Sequence, residues 1–245
     1  MIDLAIYYAK QRWPVFPLAA GAKVPAIRKE NGGHGCLDAT TNIETIARWW
    51  TEYPNANIGI ATGGGRLVID IDPRKTDKWL ESVHSLALPS TFTVKTWSGG
   101  WHLYFSMPPG SPITIGADLL PGIDWRGNRG YVVAAGSIVE GRTYEIAKNL
   151  PIAPAPVALL ERILRAKRSR PIERDASGHM VIPEKRRNDT LIRIGCALRR
   201  WGIGYSAILE SLRAVNADHC EPALNDAELR QIAASAARYA PRGAA

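Results

Sequence analysis

Three short stretches of this chain place acids, a histidine and glycines where they could act on a phosphate chain. In Arg66-Leu67-Val68-Ile69-Asp70-Ile71-Asp72, period-2 alternation turns Leu67, Ile69 and Ile71 to one face of a strand and Val68, Asp70 and Asp72 to the other. Two carboxylates two residues apart stand ~6.6 Å apart along a strand, close enough for both to reach divalent cations. Without a cation between them they repel. An Asp-x-Asp pair by itself is also common on exposed strands and in sugar transferases, so the apolar flanks add weight here.

The second stretch, Ser98-Gly99-Gly100-Trp101-His102, joins two candidate strands, Thr91–Trp97 and Trp101–Phe105. Its glycines suit a tight turn with positive φ, and free N–H groups beside a hydroxyl and an imidazole would suit a phosphate. The third, Ile123-Asp124-Trp125-Arg126, puts a carboxylate and a guanidinium on one strand face, one suited to a metal ion and the other to a triphosphate.

The elements that must position these groups are legible in outline. Helical spacing covers Asp3–Trp13 and a strand follows at Val15–Leu18. Thr41 and Asn42 can cap a helix that ends before Pro54. Strands are expected at Asn57–Ala61, Arg66–Asp72, Thr91–Trp97, Trp101–Phe105, Ile123–Arg126 and Tyr131–Ala135, with a helix at Thr76–Ser85. This order predicts an α+β fold with a mainly antiparallel sheet. A helix to about Ala166 follows Pro156, and the rest is helical: Leu191, Ile194, Leu198 and Trp201 keep one apolar face behind a capping Asn188 or Asp189, and two further helices follow. The expected organisation is a catalytic domain over 1–166, a basic linker over 167–187 and a small all-α bundle over 188–241.

Composition is that of an ordinary folded protein, with 46% hydrophobic and 22% charged residues. A net charge of +8 favours a polyanionic partner. The excess is concentrated: Glu161–Arg187 holds nine Lys or Arg against four Asp or Glu. Three cysteines at wide spacing form no disulfide framework, and no apolar run approaches the ~20 residues of a membrane span. A cytoplasmic, reducing setting without membrane attachment is expected. Zinc is disfavoured, because His34, Cys36, Cys196, His219 and Cys220 lack ligand spacing. No Gly-x-x-x-x-Gly-Lys-Ser/Thr run marks a helicase.

The order Asp-x-Asp, Ser-Gly-Gly-x-His, Ile-Asp-x-Arg resembles the three motifs of the bifunctional primase-polymerase family, a branch of the archaeo-eukaryotic primases found in plasmids, phages and prophages. Trp13-Pro14-Val15-Phe16-Pro17-Leu18, Lys23-Val24-Pro25, Asp38-Ala39-Thr40-Thr41, Trp49-Trp50 and Asn57–Gly63 extend the resemblance over Asp3–Glu145. It implies that Asp70, Asp72 and Asp124 hold two Mg²⁺ or Mn²⁺ ions and that His102 contacts phosphate. Ser98, Gly99, Arg126 and Lys23 become the nucleotide-binding residues. Arg187-Asn188, Asn216, Cys220–Leu224 and Ala236–Tyr239 resemble the primase C-terminal helical domain, with Pro222-Ala223 where that family has Pro-Pro. The implied activity is primer synthesis on single-stranded DNA from NTPs or dNTPs, with a helicase acting in trans or within a longer chain. Two rivals remain: a non-catalytic DNA-binding replication module and a metal-dependent nuclease.

Overall fold

The computed structural model describes residues 1–168 and 173–240. The chain divides into two compact units, Met1–Ser169 and Arg170–Ala245.

In the first unit a three-stranded antiparallel sheet joins β1 (Val15–Leu18), β2 (Asn57–Ala61) and β8 (Tyr131–Val133) in the order β1-β2-β8. The larger sheet contains β3 (Arg66–Ile71), β4 (Thr93–Lys95), β5 (Trp101–Ser106), β6 (Gly116–Leu120), β7 (Ile123–Arg126), β11 (Glu145–Lys148) and β12 (Ala153–Pro154). Its order is β11-β4-β5-β3-β7-β6, antiparallel throughout, while β12 runs parallel to the end of β5. A small hairpin of β9 (Ile138–Val139) and β10 (Arg142–Thr143) stands apart. The α+β class with a mainly antiparallel sheet is therefore as the residue pattern predicts.

Alternation along β3 decides what each face buries. Leu67, Ile69 and Ile71 join Phe105, Ile123 and Trp125 in a core closed by α3 (Trp79–Leu86) and α4 (Val157–Arg168) through Trp79, Val83, Leu159 and Ile163. Val68, Val94 and Tyr104 face the other way, into a core made with β1, β2, β8, α1 (Ile2–Lys10) and α2 (Ile43–Glu52). Two residues beyond Val68 on that face stands Asp70. The sheet therefore changes along one face from a buried apolar layer to polar groups, because the strand period keeps both on the same side.

Element boundaries shift where side chains intervene. β3 ends at Ile71, since the Asp72 carboxylate accepts from the Arg74 N–H (3.1 Å) and caps the 3₁₀ turn Pro73–Lys75. The Asn42 side chain caps α2 by accepting from the Thr45 N–H at 2.8 Å.

The second unit packs α5 (Arg187–Arg200), α6 (Tyr205–His219) and α7 (Asp226–Ala237) around Leu191, Ile208, Leu212, Leu229, Ile232 and Ala233. The stretch expected to be a plain linker, 167–187, contains strands instead: β13 (Glu173–Arg174) pairs with β14 (Met180–Pro183), and β14 pairs in parallel with β15 (Cys220–Glu221). Ile182 and Cys220 are buried there, which ties this segment into the helical core. α5 starts at Arg187 and has no side-chain cap, so Asn188 and Asp189 fall inside it. Asn216 on α6 holds the following loop from both sides, donating to the Leu224 carbonyl (3.1 Å) and accepting from the Leu224 N–H (2.8 Å). Trp201 does not continue the apolar face: it lies just past the last turn of α5 and is 87% exposed.

Candidate active site

The three motifs meet on adjacent strands. In the register, Asp70 of β3 stands opposite His102 of β5 on one side and opposite Asp124 of β7 on the other. Directly opposed residues on antiparallel strands project their side chains to the same face, so His102, Asp70 and Asp124 form a row across the sheet. Asp72 stands beyond the end of β3. All four line one cavity of about 410 Å³, together with Lys23, Arg74, Lys75, Trp97, Ser98, Arg126, Arg129 and Tyr144. That volume lies within the range of small-molecule sites.

Each carboxylate is compensated by a cation. Arg126 Nη2 donates to Asp70 at 3.0 Å and lies 3.7 Å from Asp124. Lys75 Nζ lies 2.7 Å from both oxygens of Asp124, which also accepts from the Asp118 N–H at 3.1 Å. The Arg74 guanidinium clasps Asp72 through two bonds of 3.0 Å. This hydrogen-bonded guanidinium holds the Asp72 carboxyl below its usual range, against the opposing effect of partial burial.

His102 is buried, and burial pushes its pKa below the ordinary histidine value despite Asp70, whose Oδ1 lies 3.7 Å from Nε2. The other ring nitrogen, Nδ1, is buried without a hydrogen-bond partner. A neutral imidazole is what such a setting favours, since a charged ring would leave a donor unpaired. Burial likewise raises the Tyr144 pKa, with Asp70 adding to it, so this residue stays a phenol on the cavity wall.

The glycine turn works differently from the sequence expectation. The Gly99 N–H donates to the Thr96 carbonyl (3.0 Å) and the Gly100 N–H to Thr96 Oγ1 (3.0 Å), so both are used inside the turn. The Ser98 hydroxyl, 3.2 Å from Thr96 Oγ1, is the polar group this turn brings to the cavity. Gly99 takes the left-handed φ of +87°, and Gly100 is needed for closeness: a Cβ there would stand 2.1 Å from the Ile71 carbonyl oxygen. The turn thereby presses against the strand end that bears Asp72.

Lys23 reaches the site from the loop after β1, with Nζ 5.3 Å from the Trp97 ring; Arg74 lies 5.2 Å from the same ring. The structure thus brings Asp70, Asp72, Asp124, His102, Ser98, Arg126 and Lys23 to one cavity. It adds Arg74, Lys75, Trp97, Arg129 and Tyr144, which motif reading missed. The signal for two of these was the Arg-Lys pair immediately after Asp72-Pro73. Of the residues weighed for zinc, Cys36 lines the cavity wall, His34 contacts Asp38 (3.2 Å), and Cys220 lies buried in the helical core.

Three hard oxygen donors suit Mg²⁺ or Mn²⁺ in kind. As the side chains stand, no three His, Cys, Asp or Glu among the described residues are gathered closely enough to hold an ion. The cause is visible: each acid is turned to its own cationic partner, and the Lys75 ammonium spans both Asp124 oxygens as a cation would. The donors match a divalent cation in kind, while as they stand the acids are turned to Arg126, Lys75 and Arg74. No described helix is long and apolar enough to cross a membrane.

The family model described as bifunctional DNA primase/polymerase, N-terminal, matches residues 5–158. The one described as primase C terminal 1 (PriCT-1) matches residues 179–242. No curated protein matches the chain.

Proposed function

Because the chain belongs to the bifunctional DNA primase/polymerase family, we propose that it initiates and extends primers on single-stranded DNA by nucleotidyl transfer, using the cavity between β3, β5 and β7. One observation supports this reading above others: five cationic side chains, Lys23, Arg74, Lys75, Arg126 and Arg129, share one cavity with three carboxylates. A polyphosphate needs cations, and carboxylates whose protein cations turn to phosphate call for a metal ion in their place.

In this reading Asp70, Asp72 and Asp124 would hold two Mg²⁺ or Mn²⁺ ions, and these would supply charge neutralisation for the transfer. Arg126, with Lys23 and Arg129, orients the triphosphate and offsets its charge. The Ser98 hydroxyl and the neutral His102 stand as hydrogen-bonding groups at the same wall, positioning without adding charge. The 3′-hydroxyl gives its proton to solvent as its oxygen bonds to the α-phosphorus, the bond from that phosphorus to the bridging oxygen breaks, and pyrophosphate leaves. Most of the acceleration comes from alignment and electrostatics.

The helical unit, through its match to the primase C-terminal family, would engage template and initiating nucleotide. Nucleotides of either sugar are candidate substrates, a helicase is a candidate partner, and a plasmid, phage or prophage replicon is the proposed setting. A nuclease would have no use for so many phosphate-binding cations around its acids.

The test is extension of a labelled primer annealed to single-stranded DNA, with Mg²⁺ or Mn²⁺, by wild type, Asp70→Asn and Asp124→Asn. Extension should vanish in both variants while DNA binding changes little. Variants that are folded and still extend the primer would refute the assignment of these acids.

A further inference from the structure

At one end of the helical unit the C-terminus of α5, the start of α6 and the C-terminus of α7 come together. Arg199 ties them, donating from Nε to the Tyr239 carbonyl (2.9 Å) and from Nη1 to the Ile203 carbonyl (3.4 Å). From this end project Trp201, 87% exposed, Tyr239, 62% exposed, and Tyr205, 40% exposed. An indole left almost wholly in water forgoes the burial that usually accompanies so large a ring.

The surrounding charge is one-sided. Arg200 adjoins Trp201 and Arg238 adjoins Tyr239; both are exposed and neither has an ion-pair partner among the described residues. No Asp or Glu occurs between Thr190 and Leu209, or between Leu229 and Ala240. The acids of α7, Asp226 and Glu228, lie in its first turn, at the other end of that helix, and Asp226 is bound to Arg213 and Arg230.

The Trp201 backbone is also fixed. Its N–H donates to the Leu198 carbonyl (3.0 Å), the Gly202 N–H to the Arg199 carbonyl (2.9 Å), and Ile203 packs on the helical core. Gly202 takes a φ of +85°, which closes the turn. With the backbone of the turn closed by these bonds, the ordering that binding requires here is that of the Trp201 side chain.

We infer that this end of the helical unit is a stacking platform for single-stranded nucleic acid, with bases on Trp201 and Tyr239 and phosphates beside Arg200 and Arg238. Flat exposed rings take any base, and nearby arginines with no acids between them take the backbone. Charge complementarity decides the occupant: a surface of this sign, built from rings instead of aliphatic groups, suits a polyanion with flat faces. The inference deepens the proposed function and rests on its single-stranded template, yet it does not involve the catalytic cavity.

The test uses the full chain and fluorescence anisotropy with two strands of equal length, oligo-dT and its abasic sugar-phosphate counterpart. Trp201→Ala should weaken oligo-dT binding about 5- to 100-fold while leaving abasic binding unchanged. Trp201→Phe should restore most of it. Arg200→Gln should weaken both strands and lower the salt slope by about 0.7. Wild-type oligo-dT affinity in Trp201→Ala, or equal loss on both strands, overturns the inference. So does a change of oligomeric state on mutation with unchanged DNA affinity, which would make a second copy the occupant. The failures separate: absence of nucleotide incorporation by wild type strikes the catalytic reading alone, and insensitivity to Trp201→Ala strikes the platform alone.

Discussion

Lys75→Met removes the ammonium from Asp124 and keeps most of the apolar stem. The Asp124 side chain is 11% exposed and Lys75 38%, so the pair lies between a surface ion pair and a buried one. Surface pairs contribute ~0–1 kcal/mol, and breaking a buried pair costs ~3–5 kcal/mol. Screening of the half-exposed ammonium, and the remaining contacts of Asp124 with Arg126 and the Asp118 N–H, place the expected loss at ~1–2 kcal/mol in chelator. A divalent cation should reverse it. If the ammonium competes for Asp124 by ~1.4 kcal/mol, the variant binds Mn²⁺ about tenfold more tightly than wild type. At ten times its Kd the ion then adds ~1.4 kcal/mol of stability. Urea denaturation with chelator and with Mn²⁺, together with titration calorimetry of Mn²⁺, measures both quantities without any reaction. A variant as stable as wild type in chelator, or with unchanged or weaker Mn²⁺ affinity, would refute the reasoning that Lys75 stands where a metal ion would.

Gly100→Ala should cost ~1–3 kcal/mol by urea denaturation and lower incorporation further than that loss explains, because the added methyl meets the Ile71 carbonyl oxygen beside Asp72; wild-type behaviour would mean the turn can move freely. His102 enters the fold neutral, so wild-type stability should be flat above pH ~6.5 and fall below it by up to ~1.4 kcal/mol per pH unit, as the unfolded chain takes a proton the folded chain refuses. The slope should flatten in His102→Gln, and an unchanged slope would place the titrating group elsewhere. Asn225→Ala removes the half of the capping box in which the Asn225 side chain accepts from the Glu228 N–H at the start of α7, while the backbone N–H of residue 225 can still donate to the Glu228 carboxylate; it should destabilise the helical unit by ~1 kcal/mol in thermal denaturation followed by circular dichroism, and no change would show that this cap is replaced by solvent.

What the residues revealed follows from the range of the interactions involved. Asp70 and its neighbours were legible because strand alternation is local, and Asn42 because a cap and its helix lie within four residues. The contact of Asp70 with His102 and Asp124 was not legible as geometry, since it depends on a register between strands separated by 32 and 54 positions. Arg74 and Lys75 belong to none of the three motifs, and only the 3₁₀ turn Pro73–Lys75 brings them back over the acids. The Gly99 and Gly100 N–H groups are not free for a phosphate because Thr96, three and four residues before these glycines and outside the motif, takes both. Trp201 kept the 3-4 spacing of a core position, but α5 ends at Arg200, and beyond a helix end that spacing no longer defines a face. β13 and β14 escaped notice because they are only two and four residues long, and β14 finds its second partner, β15, across two helices.

The most direct test of the central claim is synthesis on unprimed single-stranded circular DNA with labelled nucleoside triphosphates and Mg²⁺ or Mn²⁺, resolved on a denaturing gel. The account predicts short products that carry a 5′-triphosphate, require the metal ion and disappear in Asp70→Asn. Template bound but neither copied nor primed would contradict it in favour of a binding module, and template degraded without added nucleotide would contradict it in favour of a nuclease.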